Sequence, residues 1–233
     1  MNYIAERRLE EKEARRKQIV DAAEEVYADT GWDELTIDQV ARKARLSRAL
    51  VYVYFKDKFD LHCAICERAL LLLGDRFEQA ATRHSRGRDQ VEALGRAYVA
   101  FSQEVPHYFQ ALARFEAHSP THVDEESNEA ACMVAGDRVH SIMVACIENG
   151  MKDGSVRPDL GNPYLTSVTL WGFMHGIIQI AATKAQMLAK DGISTQQMID
   201  HALQMVGFGL AAKDEAVKRE TQNVNSKPGA PRL

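Results

Sequence analysis

The chain has 233 residues, 45% of them hydrophobic and 27% charged, with a net charge of -4 at pH 7. This length suits a small module joined to a larger one, and the composition can bury a sizeable core, which excludes a disordered or collagen-like chain. Four cysteines, at 63, 66, 132 and 146, are too few and too irregular for a disulfide framework, and the N-terminus lacks the apolar run of a secretory signal, so a reduced, cytoplasmic protein is expected.

From Leu9 to Asp29 the apolar residues Ile19, Ala22, Ala23, Val26 and Tyr27 recur at helical spacing, and Gly31 suits the left-handed residue that closes such a helix. Thr36, with Gln39 three residues on, makes a capping box for a second helix whose inward face is Ile37, Val40, Ala41 and Ala44. Arg45 and Leu46 then form a tight connection to Ser47, the expected cap of a third helix. That helix places Leu50, Val51, Tyr54 and Phe55 on one side and Arg48, Ala49 and Tyr52 largely on the other. Asp57 caps a fourth, with a stripe of Phe59, Cys63, Cys66, Leu70, Leu73 and Phe77.

Beyond Arg88 the reading stays helical, with breaks at Pro106, at Ser119 and Pro120, and across the Gly- and Pro-rich stretch 150–163. The longest segment without an acid or a base, Leu160 to Thr183, is interrupted by Asn162, Pro163, Ser167, His175 and Gln179, so no membrane span is expected. Pro163 fits the first turn of a helix reaching about Lys190. Ser194 or Thr195 caps a last helix carrying Met198, Ile199, Ala202, Leu203, Val206 and Leu210. No strand pattern appears. The expectation is an all-α protein of about nine helices, with a helix-turn-helix domain at 1–60, a helical domain at 61–213 and a disordered tail at 214–233.

Charge is unevenly distributed. Between Leu35 and Lys58, six bases (Arg42, Lys43, Arg45, Arg48, Lys56 and Lys58) meet only Asp38 and Asp57, a local charge of +4 in an acidic chain. A capped helix with an Arg in its first turn, flanked by bases, can enter a DNA major groove. Arg48 can pair with the O6 and N7 of guanine, while Ala49 and Leu50 can touch a thymine methyl. Thr36, Arg45, Tyr52, Tyr54 and Lys58 are placed for phosphates, with Ser47 capping the helix.

The run TIDQVARKARLSRALVYVYFKDKFDL, preceded by RKQIVDAAEEVYADTGWDEL, resembles the DNA-binding domain of the tetracycline-repressor (TetR) family of bacterial regulators over about Lys17 to Leu61. The resemblance implies phosphate contacts at Tyr52, Tyr54 and Lys58. It also implies a homodimeric repressor released from a palindromic operator by a small molecule. Two positions depart from the family pattern. Arg45 stands where Gly is usual, which requires a positive φ at a cost of about 1 kcal/mol, and Leu50 stands where a hydroxyl residue is common. The later run LWGFMHGI is similar to a pattern in one group of the family's C-terminal domains.

One such module binds weakly, so a two-fold dimer is expected. Gly172 and Gly176 inside a helix favour close approach of another helix, giving a dimer face with Met198, Ala202 and Val206. Phe101, Tyr108, Phe109, Phe115, Met143, Trp171 and His175 can line an apolar effector pocket. No catalytic motif, cofactor fingerprint or complete metal set is found. Cys63 and Cys66 with His62 lack a second ligand cluster, and Pro120 breaks the His118, His122 and Asp124 spacing. The competing reading is an all-helical adaptor whose basic segment binds an acidic protein.

Overall fold

A computed structural model describes residues 3–118 and 123–212. Among these the chain forms ten α-helices and one 3-10 turn, with a single isolated bridge between Val156 and Ala211 as the only extended pairing. The expected break at Ser119 and Pro120, His122, and the tail from Asp214 lie outside the described residues.

The chain divides into two compact units, Met1–Leu73 with Phe101–Asp137 and Gly74–Ala100 with Arg138–Leu233. The first contains α1 (Tyr3–Glu34), α2 (Ile37–Ala44), α3 (Arg48–Tyr54) and α6 (Pro106–Glu116). α1 begins earlier than the apolar period suggests, because residues before Leu9 continue the helix with surface pairs such as Arg7–Glu11 at 3.0 Å. Gly31 (φ 78°, ψ 169°) breaks it one turn before its end. The face predicted from periodicity is the buried one: Ile19 and Ala23 are fully buried and Tyr27 nearly so, as are Val40, Val51 and Phe55 of the basic segment. Each of the large aliphatic and Phe side chains among them contributes about 1.5–3 kcal/mol.

The helices α4 (Lys58–Ala81), α5 (Gly87–Glu104) and α7 (Asn128–Asp153) contain the unit boundaries. Leu61 to Cys66 of α4 is buried all round, so the expected stripe understates this part of the helix. In the second unit Gly87 and Gly150 touch so closely that a Cβ on Gly87 would collide with the Gly150 backbone nitrogen. That crossing, absent from the sequence reading, sets where α5 starts.

The second unit is completed by α8 (Pro163–Thr183), α9 (Ala185–Lys190) and α10 (Thr195–Leu210). Asn162 caps α8 with Pro163 in its first turn, and Ser194 caps α10 through a capping box with Gln197. α8 ends at Thr183, not near Lys190. Thr183 Oγ1 donates to the Gln179 carbonyl (2.7 Å), and Lys184 leaves helical geometry at φ -119°, ψ 20°. By length and composition α7 and α8 reach the hydropathy of a membrane span (1.4 and 1.3), a test that core helices also pass.

Candidate functional site

The segment 36–58 folds as its caps dictate. Thr36 Oγ1 accepts from Gln39 N–H (3.3 Å), while the Thr36 N–H donates to Gln39 Oε1 (2.7 Å), closing the capping box. α2 ends at Arg45 in the left-handed region, φ 57°, ψ 41°. There the N–H groups of Arg45 and Leu46 donate to the Arg42 and Ala41 carbonyls (3.1 and 2.9 Å). Arg45 is the only non-glycine residue with positive φ among those described. Gln18 Nε2 ties the end of α2 to α1 through the Ala44 carbonyl (2.7 Å). Ser47 Oγ then accepts from Leu50 N–H (3.2 Å) and α3 begins.

On α3, Val51 is fully buried, and Phe55 just beyond the helix is too. These two apolar anchors fix the rotation of the helix, so the opposite face must point outward. Thr36, Arg45, Ser47, Arg48, Ala49 and Tyr52 are exposed, whereas Leu50 and Tyr54 are half-buried. Arg48 lies across the head of the motif, held by Asp38 and Tyr52. The sequence reading does not single out Val53: at 75% exposed it is the most accessible large hydrophobic side chain of α3, one turn after Ala49, and nothing in the core requires it. Asp38 was also missed.

Lys58 departs from expectation. Its Nζ donates to the carbonyls of Trp32 (2.5 Å) and Asp33 (3.3 Å) and sits 4.7 Å from the Trp32 ring centroid. It thereby satisfies carbonyls at the end of α1, and burial pulls its pKa below the ordinary lysine value. Lys43 is engaged as well, with Glu25 at 2.6 Å.

The second unit holds a small, partly open cavity of about 30 Å³, lined mainly by Phe77, Leu94, Tyr98, Met143, Trp171 and Met174. Of the expected pocket residues, Met143 and Trp171 line it. His175 stands behind the wall, its Nδ1 2.7 Å from the Tyr98 hydroxyl and its ring 5.6 Å from that of Trp171. Burial lowers its pKa, favouring the neutral ring. Phe101, Tyr108, Phe109 and Phe115 belong to the first unit and are not in this wall. There Phe101 is fully buried and stacks on Tyr108 at 6.4 Å, Phe109 is core, and Phe115 is half-buried. The apolar pattern marks core and pocket alike, so it does not separate them.

Beside the cavity runs an open apolar groove of about 430 Å³ between α8 and α10, lined among others by Leu165, Phe173, Met205 and Gly209. Leu170, Val206 and Leu210 belong to both, forming a common wall. Gly172 and Gly176 have nothing of their own chain within 4 Å of a built Cβ. Of the other residues expected on a dimer face, Met198 is half-buried and Ala202 is 2% exposed, packed inside its own chain. The large hydrophobic side chains that do face outward on these helices are Tyr164, Leu165, Ile180, Met205 and Phe208.

In the first unit Cys63 and Cys66 are buried, and burial pushes the Cys63 thiol up to about 12. Cys66 Sγ lies 3.6 Å from His62 Nε2 and donates to the Ala111 carbonyl (3.5 Å). His118 packs on the Phe59 ring at 4.4 Å.

Residues 19–65 match the family described as bacterial regulatory proteins, tetR family, and residues 91–206 match the tetracyclin repressor-like C-terminal domain. The chain is 37% identical over 75 residues to the HTH-type transcriptional regulator HbdR of Aromatoleum sp. (strain CIB), a match covering 32% of this chain and 31% of that protein. The matches to this and two further curated relatives span only 31%, 41% and 29% of their lengths. Among solved structures, a protein of unknown function from Rhodococcus sp. RHA1 superposes with a TM-score of 0.67 at 25% identity, over 84% of this chain and 95% of that one. A transcriptional regulator of the TetR/AcrR family from Thermobifida fusca YX-ER1 shares the fold at 19% identity and a TM-score of 0.63, over 84% and 98%.

Proposed function

The chain belongs to the TetR family of bacterial regulatory proteins, and from that membership and the geometry of α3 we propose that it is a sequence-specific DNA-binding transcriptional regulator acting in the cytoplasm. The observation that carries the reading is the orientation of α3: Val51 and Phe55 anchor one face while Arg48, Ala49, Tyr52 and Val53 stand exposed on the other. A capped helix of this kind fits a major groove, with Arg48 as the base reader and Thr36, Arg45, Tyr52 and Tyr54 around it for phosphates. Val53, with Ala49, offers the apolar surface for a thymine methyl, in place of the half-buried Leu50.

Two copies read a palindromic operator, joined through the face of α8 and α10. Gly172 and Gly176 support that pairing, because each costs about 1 kcal/mol in a helix and their own chain places nothing against them. A small molecule is the effector and releases the operator. Its cavity is small here, since 30 Å³ holds only a water or two, so the ligand must expand it. The wall shared with the dimer groove gives that expansion a route to the partner. A differential affinity of 1–3 kcal/mol between two dimer arrangements changes operator affinity about 5- to 150-fold.

Selection of bound oligonucleotides from a random pool tests the reading. A recovered palindrome supports it, as does an affinity that falls on the order of 10³- to 10⁵-fold between 50 and 200 mM salt. Recovery of no motif, with salt-insensitive binding to an acidic protein, would favour the adaptor.

A further inference from the structure

We propose that the first turns of α1 make a second contact to DNA, in which Arg8, Lys12 and Arg15 hold backbone phosphates beside the groove read by α3; this rests on the regulator reading above. α1 starts at Tyr3, yet its buried residues begin only at Ile19 and Val20, and residues 5–14 are all exposed. These turns extend past the core and do not help to fill it.

Charge on the extension is sorted by face. Arg8, Lys12 and Arg15 follow one another at steps of four and three, and the same steps continue into the buried Ile19, Ala22 and Val26. The row that packs inside the module thus runs on beyond it as a row of bases. Glu6, Glu10 and Glu13 take the same steps on the opposite face. A helix that only solvates itself gains from opposite charges four apart, as in Arg7–Glu11. Arg8 with Lys12, and Glu6 with Glu10, are like pairs that cost helix stability instead. Arg8 and Lys12 are exposed and make no ion pair or hydrogen bond among the described residues. Arg15 donates to Gln18 Oε1 (2.7 Å), a neutral partner that leaves its charge in place.

The packing of α1 sets this row beside the motif. Gln18 Nε2 donates to the Ala44 carbonyl, and Ala14, Lys17 and Gln18 share one groove with Lys43, Ala44 and Arg45. The turn into α3 is therefore level with Ala14, and the helix before it projects past that turn by roughly 16 Å. Arg16 fixes the rotation of α1 through Glu67 (3.0 Å) and Asn128 (2.6 Å). Duplex DNA carries one charge per about 1.7 Å of its axis, so a basic row about 10 Å long can meet several phosphates.

Operator affinity of the full chain, measured against salt on the selected duplex with about one helical turn added at each end, tests this. Arg8→Gln with Lys12→Gln should bind about tenfold more weakly. It should also lower the slope of log affinity on log salt by about 3.6 per dimer, which is 0.9 for each of four lost contacts. The selected motif and the denaturation midpoint should stay as in the wild type, because phosphate contacts position the protein without reading bases. Arg8→Lys with Lys12→Arg keeps both charges and should keep the slope. Glu6→Gln with Glu10→Gln, an equal change of charge on the other face, should move it by less than about one unit. An unchanged slope in the Arg8 and Lys12 variant, or an equally large change in the Glu6 and Glu10 variant, overturns the proposal while the regulator reading stands. A wild type that binds no duplex brings down both.

Discussion

The Arg48 guanidinium lies 3.3 Å from the Asp38 carboxylate, and its Nη2 lies at the same distance from the Tyr52 hydroxyl, with the Tyr52 ring 5.5 Å beneath. The first turns of α2 and α3 are thus bridged on the exposed face of the motif, and Arg48, the proposed base reader, is held in one orientation in the free protein. All three groups are exposed, so the bridge adds little to stability. Its expected effect is on readout. Arg48→Ala should relax preference at one base pair of each half-site by roughly ten- to a hundredfold. Asp38→Ala should raise affinity for unrelated DNA, by removing an acid near phosphates, and lower the ratio of specific to non-specific binding. Selection profiles of both variants check this, and a profile for Asp38→Ala as sharp as that of the wild type would show that the bridge plays no part in recognition.

Lys58 is engaged with backbone carbonyls and an indole ring. Lys58→Met should lower the denaturation midpoint, with a loss of about 1 kcal/mol. A variant as stable as the wild type whose operator affinity falls uniformly across sequences would return Lys58 to a phosphate-binding role.

Arg45 carries the left-handed conformation that closes α2. Arg45→Gly should stabilise the chain by about 1 kcal/mol in urea titration, whereas Arg45→Ala, which keeps a Cβ, should not. If the side chain also touches a phosphate, both variants lose DNA affinity together, and the stability difference between them remains.

His62 is 1% exposed, its ring 4.4 Å from that of Trp32. Burial and the nearby Arg114 charge lower its pKa from 6.5 to about 4. Between those values the unfolded chain binds the proton and the folded chain does not, so stability falls as pH drops from about 6.5 to 4 and levels off below, by about 3 kcal/mol in all. His62→Gln should flatten that dependence. Equal slopes for the two proteins, in denaturant titrations at pH 4.5 and 7, would place the effect elsewhere.

Phe208 and Met205 of α10 stand 67% and 52% exposed, and Met205 lines the groove against α8. A charge there should be tolerated by the single chain but not by a partner packed against it. Phe208→Asp is therefore expected to sediment as a folded monomer at a concentration where the wild type is a dimer. A wild type that sediments as a monomer at micromolar concentration would remove the dimer from the proposal.

The caps and faces were legible because they are local. Thr36 with Gln39, Ser47, Asn162 and Ser194 with Gln197 each act within one turn, and the same short range forced Arg45 into positive φ. The buried face of the basic segment followed from a period of 3.6, and with it the outward direction of Arg48 and Tyr52. Periodicity names the side of a helix that is covered, not the residue that covers it. Lys58 met carbonyls 25 and 26 residues away. Four expected pocket aromatics belong to the other unit, Ala202 turns inward, and Gly87 and Gly150, which no local pattern marks, make a close approach within the chain. Arg88 could be read from sequence only as one more charge. Its burial beside an apolar cavity comes from contacts between α5, α7, α8 and α10, and residues so far apart along the chain meet only through tertiary packing, which no local pattern encodes.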